Sequence, residues 1–264
     1  PLGTIVKAGA VLDAFAGGRE SWGVRELALR LGLPRSGAHD LLVSLAAIGL
    51  LQRTSDARSR LGWRVLEHAG GVGEAALLRQ VAPEHLRALA DRGGATAHLA
   101  VWDGREMFFF ARAVAAGGLA VDQARPGVRL PGHATASGRV FLAHWPWKDA
   151  LAWLRTDGLT SLTPATTTDE PALQASLAEV RRSGLAVLRD EVVVGVGQIA
   201  VPVWGPGDRV VAALGISVRT TGVDAYLARN EGLLAATSAA LSAALRGAVT
   251  PAAREAMRVL VLEV

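Results

Sequence analysis

Apolar positions in the first fifth of the chain recur at helical spacing. Ile5, Ala8, Leu12 and Phe15 share one stripe, with Gly17-Gly18 as its stop. Val24, Leu27, Ala28 and Leu31 form a second stripe ended by Gly32. Pro34 stands in the first turn of a third helix, where a missing N–H costs little. Ala38, Leu41, Leu42 and Leu45 turn inward on that helix, and Gly49 ends it. Two short alternating pieces, Leu50–Arg53 and Arg60–Arg64, flank the polar stretch Thr54–Ser59, a pattern that predicts a β-hairpin. A helical region then runs from 64 to 90. Interruptions at Gly70-Gly71 and Pro83 divide it into a connector and the first helix of a second domain.

Beyond residue 90 the pattern alternates between period 2 and period 3.6. Ala97–Trp102 and Glu106–Arg112 flank Asp103-Gly104, a strong hairpin turn signal. Leu119–Gln123 reads as a further strand, and Leu130–Gly138 as a loop leading into a helix through Trp145. Leu173, Leu177 and Val180 mark a helix ended by Gly184. Strands follow at Leu185–Leu188, Gln198–Trp204 and Val210–Val218, with Pro206-Gly207-Asp208 turning between the last two, and a final helix spans Val223–Leu245. The expected architecture is α+β, with a mixed or antiparallel sheet. Its boundaries are 4–66 for a helical domain with a hairpin, 67–80 for a linker helix, 81–248 for the sheet domain and 249–264 for a tail.

The spacing of the second and third helices is that of a helix-turn-helix, whose second helix enters the major groove of DNA by its N-terminal residues. Arg35, Ser36, Gly37, His39, Asp40 and Val43 point away from the apolar face of the third helix. Small side chains at 36 and 37 permit close approach, and an arginine at 35 suits phosphate or a guanine edge. Arg53, Arg58, Arg60 and Arg64 on the hairpin suit a wing lying along phosphates. Periodicity alone also fits a plain three-helix subdomain with solvated arginines; the basic hairpin favours DNA.

Charge sharpens this picture. Residues 1–70 hold nine basic and six acidic side chains, against 19 and 18 in the remaining chain, so the positive excess lies mostly where the helix-turn-helix is read. With 50% hydrophobic and 20% charged residues over 264 positions, a disordered chain is excluded. The absence of cysteine rules out disulfides, thiolate metal sites and cysteine nucleophiles, and fits a cytoplasmic protein. The longest uncharged stretch, Val192–Gly207, is broken by glycines and prolines and is too short to span a membrane.

The run Val24-Arg25-Glu26-Leu27-Ala28-Leu29-Arg30-Leu31-Gly32-Leu33-Pro34-Arg35-Ser36-Gly37-Ala38-His39 resembles the helix-turn-helix of the IclR family of bacterial transcriptional regulators, and Arg60-Leu61-Gly62 resembles the end of its wing. His98–Val101, Leu130–Arg139 and Gly195–Val203 resemble, in order, motifs of that family's effector domain. The resemblance covers about residues 4–246. It implies a winged helix, a linker helix and a GAF-like effector-binding domain, assembled as a homodimer or a dimer of dimers, without cofactor, metal or membrane. The function it implies is that of a ligand-responsive regulator, expected to be a repressor. Its DNA-binding residues would be Arg25, Arg35, Ser36, Gly37, His39, Asp40, Arg53, Arg58 and Arg60. Asp40 departs from the arginine usual in the family; a carboxylate repels phosphate but accepts from cytosine N4.

The same resemblance places an effector among Ala136, Ser137, Leu188, Gln198, Gly215 and Ser217. Alternation on the second hairpin strand puts Met107 and Phe109 on one face and Phe108 and Phe110 on the other, so Phe109 reads either as pocket wall or as core, and His133 as a structural or pocket-wall residue. Backbone amides at Ala136-Ser137 open a helix and suit a carboxylate or carbonyl oxygen. Gln198, Leu188 and Gly215 stand where the family has a cysteine, an acidic residue and a serine. Leu188 and Gly215 are expected to leave apolar surface and room for a ligand larger and less polar than glyoxylate or pyruvate, an organic acid or aromatic metabolite. Two further readings of the residues compete: a serine hydrolase built from Ser137, His133 and Asp190, and a sensor that no longer binds specific DNA. The first lacks a Gly-x-Ser-x-Gly elbow, so the chain is expected not to be an enzyme. His98 and His133 lack the spacing of a metal site.

Overall fold

The computed structural model describes residues 2–16, 19–65, 68, 73–103 and 106–247. The sequence readings at Gly17-Gly18, Gly70-Gly71, Gly104 and 249–264, and most of 67–72, lie outside them. The chain divides into two compact units, residues 1–76 and 77–264.

The first unit contains helices α1 (Gly3–Ala16), α2 (Val24–Leu31) and α3 (Arg35–Ala47), followed by strands β1 (Leu51–Arg53) and β2 (Ser59–Leu61). The stripes meet in one core of Val11, Phe15, Trp22, Leu27, Leu41, Leu42, Leu45 and Leu51, with Ala8 and Leu12 half-buried against it; Ile5 of the first stripe is exposed, and Val11, outside that reading, is buried instead. Trp22 ties the elements together. Its indole N–H donates to the Ala14 carbonyl at 3.1 Å, and its backbone pairs with Ser59 beside the hairpin. The β1–β2 register sets Gln52 opposite Arg60. Gly62 lets the hairpin return against the end of α3, since a Cβ there would lie 2.2 Å from the Gly49 carbonyl oxygen.

Helix α4 (Gly73–Gly93) begins just before the second unit and supplies Leu78, Leu86 and Leu89 to its core. The interruption expected at Pro83 does not occur. Pro83 lies on the exposed side of a continuous helix, where the i−4 carbonyl it leaves without a donor faces water. A six-stranded sheet follows, in the order β5-β4-β3-β8-β7-β6. Its strands are β3 (Thr96–Trp102), β4 (Met107–Val114), β5 (Arg129–Leu130), β6 (Ala186–Arg189), β7 (Val196–Trp204) and β8 (Val210–Arg219). Every pairing is antiparallel.

Strand alternation gives the sheet two apolar faces. Leu99, Ile199, Leu214 and Ile216 pack with α4 and with α8 (Val223–Gly247). Ala100, Phe109, Leu188, Ala200 and Ala213 face the other way, towards α5 (Ala136–Ala143), α6 (Trp147–Asp157) and α7 (Glu170–Ser183). Among the described residues no helix is long and apolar enough to cross a membrane.

Two further elements differ from the sequence expectation. Leu119–Gln123 is not a strand: it is loop passing into a 3₁₀ turn at Asp122–Ala124, and the edge strand is Arg129–Leu130 instead. The Leu119 carbonyl accepts the Thr96 hydroxyl rather than a ladder N–H. Helix α6 lies where no element is expected. Pro146 closes the preceding helical pattern and stands just before Trp147, and only Ala150 and Leu154 are fully buried, too thin a stripe to read.

Candidate functional site

In the first unit, inward packing of Ala38, Leu41, Leu42 and Leu45 leaves the opposite face of α3 open. Arg35, Ser36, His39 and Asp40 are exposed there, Gly37 is half-buried, and Val43 is 50% exposed. The His39 ring lies 3.6 Å from the Asp40 carboxylate. Arg25 is exposed on α2 and Arg53 on β1. Arg60 is exposed, and its guanidinium donates to Gln52 Oε1 across the strand pair at 3.0 Å. Arg58, expected with these side chains, turns inward. Its guanidinium donates to Glu26 Oε2 at 2.7 Å and to the Ser21 hydroxyl at 2.9 Å and carbonyl at 3.1 Å. The Arg58 hydrogen bond holds the Glu26 carboxyl below the usual carboxylate range. A side chain so committed braces the hairpin on α2. Arg64 donates to the Ile48 carbonyl at the end of α3.

In the second unit, register brings a polar row onto the α5-facing side of the sheet. Leu188 pairs with Gln198, Gln198 with Ser217, and Ser217 with Thr96. Above the row, α5 begins. Thr135 caps it by accepting the Gly138 N–H at 3.0 Å, and the Ala136 N–H donates to Gln198 Oε1 at 3.1 Å. Ser137 is 2% exposed and Ser217 is fully buried, yet neither hydroxyl has a partner among the described residues. Phe109 adds an aromatic wall, edge-on to the His98 ring at 4.9 Å. A cavity of about 330 Å³, bordered by Gly94, Gly118, Leu119, Ser217 and Arg219, lies beside the end of this row.

Gly215 does not leave the room expected of it. A Cβ on Gly215 would fall 2.1 Å from His98 Nε2, so the imidazole occupies that space. Burial, aided by the nearby Arg112 charge, pushes the His98 pKa down to about 3, so the ring is neutral at physiological pH. His133 belongs to the turn before α5, and its Nε2 lies 3.1 Å from the Thr160 carbonyl. Its ring is thus engaged with the 160 loop. Asp190 accepts from the Gly195 N–H and the Thr220 hydroxyl, and no hydrogen bond links Ser137, His133 and Asp190. Among the described residues no cluster of three or more metal-ligating side chains occurs.

Thr96, His98 and Arg112 are absent from the sequence-based site. Arg112 pairs with His98 across β3–β4 and donates to the Val121 carbonyl at 2.9 Å. Strand alternation puts 96, 98 and 100 on one face, which was a usable signal. That this face meets the start of α5 was not.

The position of α5 is fixed by a buried ion pair. Arg139 and Glu191 are 5% and 9% exposed and hydrogen-bonded to each other. Arg139 also donates to the His133 carbonyl and the Ser176 hydroxyl, and Glu191 accepts the Thr167 N–H. One residue of α5 is thereby tied to α7 and to the loop after β6.

Comparison with known proteins agrees with this geometry. Residues 4–55 match the IclR helix-turn-helix domain, and residues 54–243 match the family described as bacterial transcriptional regulator IclR, C-terminal. The HTH-type transcriptional regulator XynR of Escherichia coli is 35% identical over 92% of this chain and 96% of its own length. The HTH-type transcriptional repressor AllR of the same organism is 31% identical over 79% of this chain and 77% of its own. The crystal structure of an IclR homolog from Microbacterium hydrocarbonoxydans, complexed with 4-hydroxybenzoate, superposes with a TM-score of 0.78 at 29% identity, covering 93% of this chain and all of that one. The helix-turn-helix of the first unit and the sheet domain of the second are those of a ligand-responsive DNA-binding regulator, and the chain belongs to the IclR family of bacterial transcriptional regulators.

Proposed function

We propose that the effector of this regulator is a small carboxylic acid with an apolar or aromatic body, bound between the start of α5 and the row Leu188–Gln198–Ser217. The observation that carries this reading is the pair of buried, unpartnered hydroxyls of Ser137 and Ser217 beside a helix N-terminus. Helix N-terminal amides favour an anion, and buried polar groups without partners are costly unless a ligand completes them. Phe109 and Leu188 supply apolar wall. The 4-hydroxybenzoate in the Microbacterium homolog has the same chemistry. Ala136, Ser137 and Ser217 are the polar contacts in this reading, with Gln198 bordering them on β7; Gly215 acts through His98, and His133 supports the turn.

DNA recognition is assigned to Arg25, Arg35, Ser36, Gly37, His39 and Asp40, with Arg53 and Arg60 on the wing and Arg58 as a positioning residue. The protein acts as a cytoplasmic repressor without catalysis. AllR, a repressor, supports that sign of control. It works as a homodimer or dimer of dimers, because one winged helix covers only a half-site. The segment 67–80 couples the two sites by setting the spacing of paired recognition helices. Such coupling is typically about 1–3 kcal/mol.

Fluorescence anisotropy on the DNA upstream of the encoding gene tests this. Submicromolar binding at physiological salt, weakened about 5–150-fold by 4-hydroxybenzoate or a related acid, is expected. Binding no tighter than to random DNA would sink the regulatory assignment for that site. Strengthened binding on adding the acid would make the protein a co-repressed or activating regulator.

A further inference from the structure

We infer that Gln198 is an internal stand-in for the effector: its side-chain carbonyl holds the Ala136 N–H in the free protein, and an incoming carboxylate takes its place. This rests on the carboxylic-acid reading above and adds how the free site is kept closed.

The Ala136 N–H is one of the first amides of α5, at the positive end of the helix, and its acceptor is a neutral amide oxygen at 3.1 Å. Gln198 reaches it from near the start of β7, 62 residues away in sequence. Gly138 is already served by Thr135, and Arg139 N–H by the Thr135 carbonyl. The Ser137 and Ser217 hydroxyls are unpartnered among the described residues though more than nine-tenths buried. One neutral oxygen therefore meets a site that offers several donors. A carboxylate brings two oxygens and a full charge, and charge-assisted hydrogen bonds are roughly twice as strong as neutral ones. It can accept from Ala136 and Ser137 with one oxygen and from Ser217, beside Gln198 in register, with the other. A neutral ligand carbonyl would only repeat what Gln198 already does. The exchange thus selects acids over amides of the same shape.

The sign of a substitution distinguishes this from a permanent contact. Calorimetry on the full chain should show 4-hydroxybenzoate binding about three- to tenfold tighter to Gln198→Ala than to wild type, because a competitor is removed. Gln198→Glu should bind it more weakly, since a fixed carboxylate then competes for the same amide. In wild type, 4-hydroxybenzoate should bind in preference to 4-hydroxybenzamide. Hydrogen exchange at Ala136, followed by NMR, should be slow in wild type, faster in free Gln198→Ala, and slow again when acid is added. Weaker acid binding by Gln198→Ala would overturn the exchange and make Gln198 a direct effector contact. If Gln198→Ala fails to fold, preference for the acid over the amide in wild type decides, and equal binding of the two overturns the proposal. If neither 4-hydroxybenzoate nor benzoate binds wild type or Gln198→Ala, the carboxylic-acid reading itself falls, and the exchange with it.

Discussion

His98 and Gly215 face each other across the β3–β8 pair, and the imidazole of one occupies the side-chain space the other lacks. A Cβ at 215 would lie 2.1 Å from Nε2 and under 3 Å from two ring carbons. The glycine is thus a consequence of the histidine rather than an opening for ligand. Gly215→Ser should destabilise the second unit by about 1–3 kcal/mol through overpacking. His98→Ala combined with Gly215→Ser should recover part of that loss, because the clash is gone. Urea denaturation of the two single variants and the double variant measures the coupling, and simple additivity would show that the ring moves aside at no cost.

Burial makes His98 a source of acid sensitivity. Its pKa is about 3 in the folded chain, against an ordinary value of 6.5. Below pH 6.5 the unfolded chain takes up a proton that the folded chain refuses until about pH 3. The stability contributed is complete above pH 6.5 and falls as pH drops, by roughly 1.4 kcal/mol per pH unit. His98→Gln should show a shallower slope than wild type between pH 6.5 and 4.5 in denaturant titrations. Equal slopes would mean that the folded chain protonates His98 as readily as the unfolded one.

Arg139 and Glu191 present a different risk, since each is buried against the other. Arg139→Met should cost about 3–5 kcal/mol by stranding the carboxylate, and Arg139→Met with Glu191→Leu should be less destabilised than the single variant. Calorimetric melting of the chain gives the comparison. A mild effect of Arg139→Met alone would show that water reaches Glu191.

On the DNA side, two kinds of arginine are separable by salt. Arg53→Ala should lower the slope of log affinity against log salt by about one, as loss of a phosphate contact does. Arg58→Lys should weaken operator binding with the slope unchanged, because the Arg58 guanidinium is spent on Glu26 and Ser21. Binding isotherms from 50 to 200 mM salt, about a four-fold range, are sufficient to see this. A reduced slope in Arg58→Lys would return that residue to the DNA-contacting set.

Arg35 differs again. If it reads a base edge, Arg35→Ala should cost about 1–3 kcal/mol on the operator and relax preference at one position. Anisotropy against single-base operator variants checks this, and equal losses on operator and random DNA would leave Arg35 with a phosphate role only.

The helices of the first unit were legible because each carries a stripe at period 3.6 closed by a glycine or proline: Leu27 and Ala28 before Gly32, Leu41, Leu42 and Leu45 before Gly49. The hairpin of the wing and the strands β3, β7 and β8 followed from period 2 in the same way. Where the pattern was thin it failed. Helix α6 buries two residues of eleven fully, and Leu119–Gln123 is apolar enough for a strand but spends its Leu119 carbonyl on a threonine hydroxyl.

Periodicity assigns a side chain to a face of its own element, since the helix and the strand each fix where successive Cβ atoms point. That was enough to set Arg35 and His39 outward on α3 and to separate Met107 and Phe109 from Phe108 and Phe110 on β4. It carries no information about which distant atoms meet. Arg58 sits on the wing by sequence, but its partner is Glu26, 32 residues earlier, and only the packing of the hairpin on α2 turns it inward. Gln198 meets Ala136, and His98 fills the space at Gly215, through the stacking of α5 on the sheet and the register of β3 on β8. Such pairings are set by the closing of loops dozens of residues long, and each residue is locally indifferent to them. The sequence by itself determined the helix-turn-helix, the wing, the long strands of the sheet and the family; tertiary structure alone decided which polar groups are spent on one another and which are left for a ligand.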